Sequence, residues 1–273
     1  MQPKASVIIS TYNQPEWLYK VFIGYEQQSF KDFEIIIADD GSANSTKILI
    51  EQYKSETDLT ITHIWHEDDG FRKTKILNKA IKASASDYLI ITDGDCIPRL
   101  DFVEKHLHLR QLRCFLSGGY FKLPKSISDQ ISRQDIENQN CFDIDWLVSK
   151  GLKKTFKTNK LSSSGLKEKL LNKFTPTKAT WDGMNASGWK KDIIAVNGFD
   201  ERMAYGGEDR ELGERLMNYG IRPIQIRYSA ICVHLYHERS YKNDIALNLN
   251  LEIRKTTKSK KIIWTDYGIV KPS

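Results

Sequence analysis

The stretch Tyr88-Leu89-Ile90-Ile91-Thr92-Asp93-Gly94-Asp95 decides the fold class. Its first five residues are apolar or β-branched with no polar face, as a strand buried on both sides requires, and the run stops in two carboxylates around a glycine. Working back from it, residues 5–10 and 33–38 repeat the pattern, and 59–65 does so less cleanly. Helical spacing fills the gaps: Leu18, Val21, Phe22 and Tyr25 within 15–28, a second segment over about 45–53, and Ile76, Leu77, Ala80 and Ile81 within 72–83. Strands and helices in alternation predict an α/β fold with one Rossmann-like, mostly parallel sheet covered on both faces. Ligands in such sheets sit beyond the carboxyl ends of the strands. The polar clusters at 11–13, 39–42, 67–72 and 93–95 each follow a strand, so all four are expected on one rim.

Past Asp95 the pattern loosens. A helix is expected over 102–112 and a strand over 115–120. Residues 120–180 read as a polar, basic, partly helical insertion. Order returns over 181–200, with a helix at 208–219 and strands at 224–228 and 230–233. The expected organisation is one domain over 1–242, with a nucleotide-binding half over about 1–100 and an acceptor and catalytic half over about 101–242. A basic extension follows at 243–273.

Composition narrows the function. The 273 residues are 40% hydrophobic and carry a net charge of +6, enough apolar material for a core. The charge is uneven: residues 151–178 hold eight lysines against Glu168, and 252–261 hold five basic residues against Glu252. A mildly acidic body with two basic segments lacks the overall basic surface of a nucleic-acid binder. It suits a protein that meets an anionic surface or ligand at defined places. Cys96, Cys114, Cys141 and Cys232 are widely spaced and read as reduced thiols. With no apolar run near membrane-spanning length and no secretory signal at the start, a cytoplasmic location is expected.

Three groups carry chemistry. Asp93 and Asp95 can present oxygens to a hard divalent cation that bridges a diphosphate; alone such a triplet is weak, and Asp143-Ile144-Asp145 repeats it in an acidic turn. Gly206-Gly207-Glu208-Asp209 opens an amphipathic helix, where the carboxylates serve either as ordinary first-turn acids or as a general base facing the crevice. His234 and His237 follow an apolar strand, and one of them is expected to complete a metal site, though spacing does not choose between them.

Taken in order, Ser6-Val7-Ile8-Ile9-Ser10-Thr11-Tyr12-Asn13, Asp39-Asp40-Gly41-Ser42, Asp69-Gly70-Phe71-Arg72 with Asn78, Asp93-Gly94-Asp95, Asn197-Gly198-Phe199-Asp200-Glu201, Gly206-Gly207-Glu208-Asp209 and His237-Glu238-Arg239 resemble the family-2 glycosyltransferases of GT-A fold. The second half is similar to the transferase domains of bacterial chondroitin-type polymerases and of β-1,4-galactosyltransferases. The resemblance implies an inverting hexosyl transfer from a UDP-sugar to a glycan or lipid-linked acceptor in surface polysaccharide synthesis, with Mn²⁺ or Mg²⁺. It implies that Thr11, Tyr12 and Asn13 line the nucleotide pocket, that Asp40 meets the uracil, that Arg72 lies near the diphosphate and that Asp93 contacts ribose or metal. Asp95 and His237 would be metal ligands, Asp209 the base and Glu208 a sugar contact. Tyr205 stands where many relatives carry Trp, which bears on acceptor preference. Trp181, Trp189 and Tyr205 are candidates for sugar-ring contacts or for the core.

Two rival functions remain on the sequence. A sugar nucleotidyltransferase should show a Gly-rich, basic phosphate loop after the first strand, which Thr11-Tyr12-Asn13-Gln14 is not. A non-catalytic glycan-binding module would not need Asp95, Asp209 and His237 together. In the basic insertion, Leu166, Leu170 and Phe174 share a helical face with lysines beside it. That face is expected either to meet an anionic membrane leaflet as a peripheral contact through 151–178, or to pack on the body.

Overall fold

The structure is a computed structural model that describes residues 2–238 and 243–271. The first half follows the predicted alternation: β1 (Ala5–Thr11), α1 (Pro15–Glu26), β2 (Phe33–Asp39), α2 (Asn44–Glu56), β3 (Ile61–Trp65), α3 (Lys73–Ala83) and β4 (Tyr88–Asp93). The short β5 (Cys96–Pro98) follows at once, then α4 (Phe102–Leu109). The strand expected over 115–120 divides into β6 (Cys114–Ser117) and β7 (Gly119–Lys122), which join different sheets. Gly118 makes that step possible, because a Cβ there would lie 2.0 Å from the Asn185 side chain.

Residues 124–180 hold more helix than the polarity of the segment suggested: α5 (Lys125–Ser128), α6 (Arg133–Glu137), α7 (Ile144–Ser149), α8 (Asn159–Ser162) and α9 (Gly165–Phe174). Asp143 caps α7 by accepting the Trp146 N–H at 2.7 Å, and Asp145 pairs with Lys154, so the second Asp-x-Asp is local chemistry. Beyond it come β8 (Asn185–Trp189), α10 (Lys190–Ala195), α11 (Glu208–Asn218), β9 (Arg222–Gln225), β10 (Ile231–His234) and α12 (Asp244–Ser259).

Seven strands form one sheet in the order β3-β2-β1-β4-β8-β6-β9, parallel except for β8, which runs antiparallel to β4 and β6. A second sheet of three strands, β5-β10-β7, stands beside it. The small sheet explains how distant residues meet. Strand β5 starts directly after Asp95 and pairs antiparallel with β10, setting His234 opposite Cys96, and the Leu235 N–H donates to the Asp95 carbonyl at 2.9 Å.

Two apolar clusters cover the faces of the large sheet. One contains Val7, Ile9, Ile35, Ile37 and Ile90 with α1; the other contains Ile8, Ile36, Leu89 and Ile91 with α3 and α11. That split is the alternation of strand side chains, with both faces apolar as the continuous runs required. All four cysteines are buried and unbridged. The C-terminal segment is fastened to the body: Arg254 pairs with Glu214 at 2.5 Å, Thr257 donates to Glu211 at 3.0 Å, and Asn197 donates to the Thr265 carbonyl at 2.6 Å.

Candidate active site

A cleft of about 870 Å³ opens along the carboxyl ends of β1, β2 and β4. Of the expected site residues, Thr11, Tyr12, Asn13, Asp40, Asp93, Asp95, Glu208, Asp209 and His237 all line it. Arg72 does not. Its guanidinium binds Asp69 at the rim of a neighbouring depression, while its backbone N–H donates to Asp40 Oδ2 at 2.9 Å. Arg239 lies outside the described residues.

The loop after β1 is tied to the loop after β2. Asn13, in the left-handed region at φ 50°, accepts the Ala43 N–H at 2.8 Å and donates its own N–H to Ser42 Oγ at 2.9 Å. Gly41 at φ +93° admits no side chain, since a Cβ would sit 2.6 Å from Asp68 Cα. Asp40 is buried, and its Oδ1 faces His66 Nε2 at 2.8 Å. Burial pushes its carboxyl up, against the pull of His66 and the Arg72 N–H.

Asp95, His234 and His237 form the one group among the described residues whose ligand atoms converge as a metal site would demand, all within 4.8 Å of one another. His237 Nε2 lies 3.2 Å and His234 Nε2 3.8 Å from Asp95 Oδ2. Each Nδ1 bonds a backbone carbonyl, Leu235 O at 2.6 Å and Glu238 O at 2.9 Å. A carbonyl only accepts, so each Nδ1 carries the hydrogen, which leaves Nε2 as the nitrogen that would bind a cation beside Asp95. Asp95 Oδ1 takes the Cys96 thiol at 3.4 Å, turning Oδ2 to the imidazoles. The donor set of one carboxylate and two imidazoles fits a divalent ion of the Mn²⁺ type.

Asp93 stands apart from that group. Its Oδ1 receives Ser10 Oγ and Lys73 Nζ, each at 2.6 Å. Lys73 carries no expectation from the sequence. It lies next to Arg72 in the chain, but one step along the start of α3 aims it into the cleft. Burial there would lower its pKa, and Asp93, Glu208 and Asp209 more than reverse this, holding it well above an ordinary lysine.

The Gly-Gly pair opens α11 as the motif suggested. Gly206 has φ +114°, and a Cβ there would lie 2.2 Å from Leu247 of α12. Asp209 Oδ2 accepts the Gly183 N–H at 3.0 Å, which fixes the carboxylate in place. Glu208 is buried and pushed up to about 7, first by burial and then by Asp209. Asp182, which belongs to no motif, also lines the cleft and is pushed up to about 6 by burial and by Asp209. Tyr120, Lys122 and Arg254 line it too, the last contributed by the C-terminal helix. Of the three candidate sugar-stacking aromatics, only Tyr205 lines the cleft, in edge contact with Phe71. Trp181 is core, and Trp189 packs on Tyr88 while donating to the Gln111 carbonyl.

Residues 6–111 match the glycosyl transferase family 2 pattern. Over that stretch the chain is similar to the family-2 glycosyltransferases. Residues 175–238 match the N-terminal domain of galactosyltransferase, the stretch that supplies Asp182, Glu208, Asp209 and both histidines. An uncharacterized glycosyltransferase of Bacillus subtilis, YfnE, is 28% identical over 90% of this chain and 69% of its own length. The chondroitin synthase of Escherichia coli is 26% identical over 79% of this chain. This chain spans only 32% of that synthase. The structure of S. aureus TarS 1–349 with UDP-GlcNAc superposes with a TM-score of 0.61 at 15% identity, covering 95% of this chain and 70% of that one. That likeness establishes the GT-A fold.

Proposed function

We propose that this glycosyltransferase moves a hexosyl group from a UDP-sugar to a hydroxyl of a glycan or lipid-linked acceptor, with inversion and with Mn²⁺ or Mg²⁺, in the synthesis of a surface polysaccharide. The observation that carries the reading is the convergence of Asp95, His234 and His237 in the cleft that also holds Asp209. Asp95 and the two histidines would hold the cation, which when bound offsets the negative charge growing on the departing UDP.

The chain's own residues account for the rest. The Thr11–Asn13 loop and Asp40 lie where a parallel sheet receives a nucleotide. Lys73 pairs with Asp93 at 2.6 Å and adds positive charge beside the carboxylates of Asp93, Glu208 and Asp209. Asp209, held by the Gly183 N–H, accepts the acceptor's hydroxyl proton as the new glycosidic bond forms. For this task the carboxylate must be positioned within hydrogen-bond reach of the hydroxyl. Glu208, whose carboxyl is pushed up to about 7 by burial and by Asp209, suits a hydrogen bond to the sugar. The names of two similar proteins support donor and product class: one structure binds UDP-GlcNAc and one relative is a chondroitin synthase.

A panel of UDP-sugars with Mn²⁺ tests the reading. One donor should raise the melting temperature and release UDP, and NMR of the product should show the inverted anomer. Absence of any UDP-sugar binding or hydrolysis across the panel would overturn it.

A further inference from the structure

Helix α9 is mounted with its polar side inward. Glu168 is buried and accepts the Ser229 hydroxyl, with Lys105 Nζ 3.7 Å away. Asn172, one turn on, donates to Ser229 Oγ at 2.8 Å and accepts the Tyr228 N–H at 2.9 Å. The apolar stripe is therefore outside. Leu166 is 73% exposed, Leu170 46% and Phe174 71%. The alternative of an apolar face packed on the body does not hold.

The lysines complete the pattern. At about 100° per residue, Leu166, Leu170 and Phe174 occupy one sector, with Lys169 and Lys173 to one side of Leu166 and Lys167 beyond Phe174. All three lysines are exposed or partly exposed, and Lys153, Lys154, Lys157 and Lys178 lie exposed or at the edge of the same segment. The segment's one acid, Glu168, is turned inward.

We infer that this face docks on an anionic phospholipid bilayer, with Leu166, Leu170 and Phe174 entering the interface and the flanking lysines meeting the headgroups. Charge selects the occupant. A second copy of the chain would bring this lysine cluster against its own image, whereas an anionic leaflet offers apolar depth and negative charge together. No helix among the described residues is long and apolar enough to cross a membrane, so the contact is peripheral. The segment is also fastened to the site: Lys160 Nζ donates to the carbonyl of Tyr120, a cleft residue, at 2.9 Å, and α9 grips the residues just before β10. Docking would hold the cleft close to the leaflet.

The test needs neither donor nor metal, so it stands independently of the proposed chemistry. The protein should co-sediment with vesicles of phosphatidylcholine and phosphatidylglycerol at least tenfold better than with phosphatidylcholine alone, and salt should release it. Lys167→Glu/Lys169→Glu/Lys173→Glu should lower binding tenfold or more at an unchanged melting temperature. Phe174→Trp should show a blue-shifted emission on anionic vesicles, and Leu166→Ser/Phe174→Ser should weaken binding. Equal binding to both vesicle types, or no binding by the native chain, overturns the inference. So does binding without a spectral shift, which would mean adsorption by charge alone. A dimer in solution that Leu166→Ser/Phe174→Ser dissociates would assign the face to a second copy and overturn it as well.

Discussion

The rings of His234 and His237 stack with centroids 5.2 Å apart and planes 24° from parallel, both turning Nε2 toward Asp95. A cation held by two imidazoles and one carboxylate would follow the transition-metal order of affinity rather than the hard-cation order. Mn²⁺ should therefore bind more tightly than Mg²⁺ without any nucleotide. His234→Ala and His237→Ala should each weaken Mn²⁺ at least about tenfold, which is about 1.4 kcal/mol. Electron paramagnetic resonance of free Mn²⁺ reads this directly, and equal affinity in the His234 variant would leave His237 and Asp95 alone as ligands.

Asp209→Asn removes the proposed proton acceptor while keeping its shape and the bond from Gly183. Transfer should fall by roughly 10² to 10⁴, the usual contribution of a positioned base. Donor binding by calorimetry should change little. A variant that still transfers would move the base to another cleft carboxylate, with Asp182 a candidate.

Lys73→Met leaves Asp93, Glu208 and Asp209 without their shared cation. Breaking one side of this partly buried ion pair leaves a carboxylate without its partner, so the melting temperature should drop at neutral pH. UDP affinity should fall with it. Arg72→Met, whose guanidinium binds Asp69 at a separate rim, should leave UDP affinity within about twofold of native, roughly 0.4 kcal/mol.

Glu208 titrates at about 7 in the folded protein against 4.5 ordinarily. The folded state thus holds the proton more tightly, and stability falls as pH rises from about 4.5 to about 7. Glu208→Gln should remove that dependence. It should be more stable than native by about 3 kcal/mol or slightly more at pH 8 and indistinguishable at pH 4, since each tenfold gain in proton affinity on folding is worth about 1.4 kcal/mol. Denaturant melts at the two pH values test the sign.

Most of the first hundred residues are legible in advance because strand and helix periods are written locally, and Ile35-Ile36-Ile37 or Leu89-Ile90-Ile91 admit few other readings. Lys73 is harder. Arg72 and Lys73 are both basic and adjacent, and only the docking of α3 on β2 decides which one enters the cleft. Asp182 carries no motif, and only the turn leading into β8 places it in the cleft with Asp209. For α9 the stripe of Leu166, Leu170 and Phe174 is evident, but periodicity does not say which face turns inward. Ser229 and Lys105, far away in the chain, settle that by binding Glu168.

What the amino-acid order determined by itself is the alternating strand and helix framework, the rim where its polar turns gather, and the kinds of donor present there. What only the folded chain decided is which of those donors share one atom's neighbourhood. The pairing of β5 with β10 brings residues 95, 234 and 237 together, and no local propensity encodes a contact across that many residues. Backbone hydrogen bonds between strands, together with burial of the faces they share, supply the free energy that closes the long intervening loop.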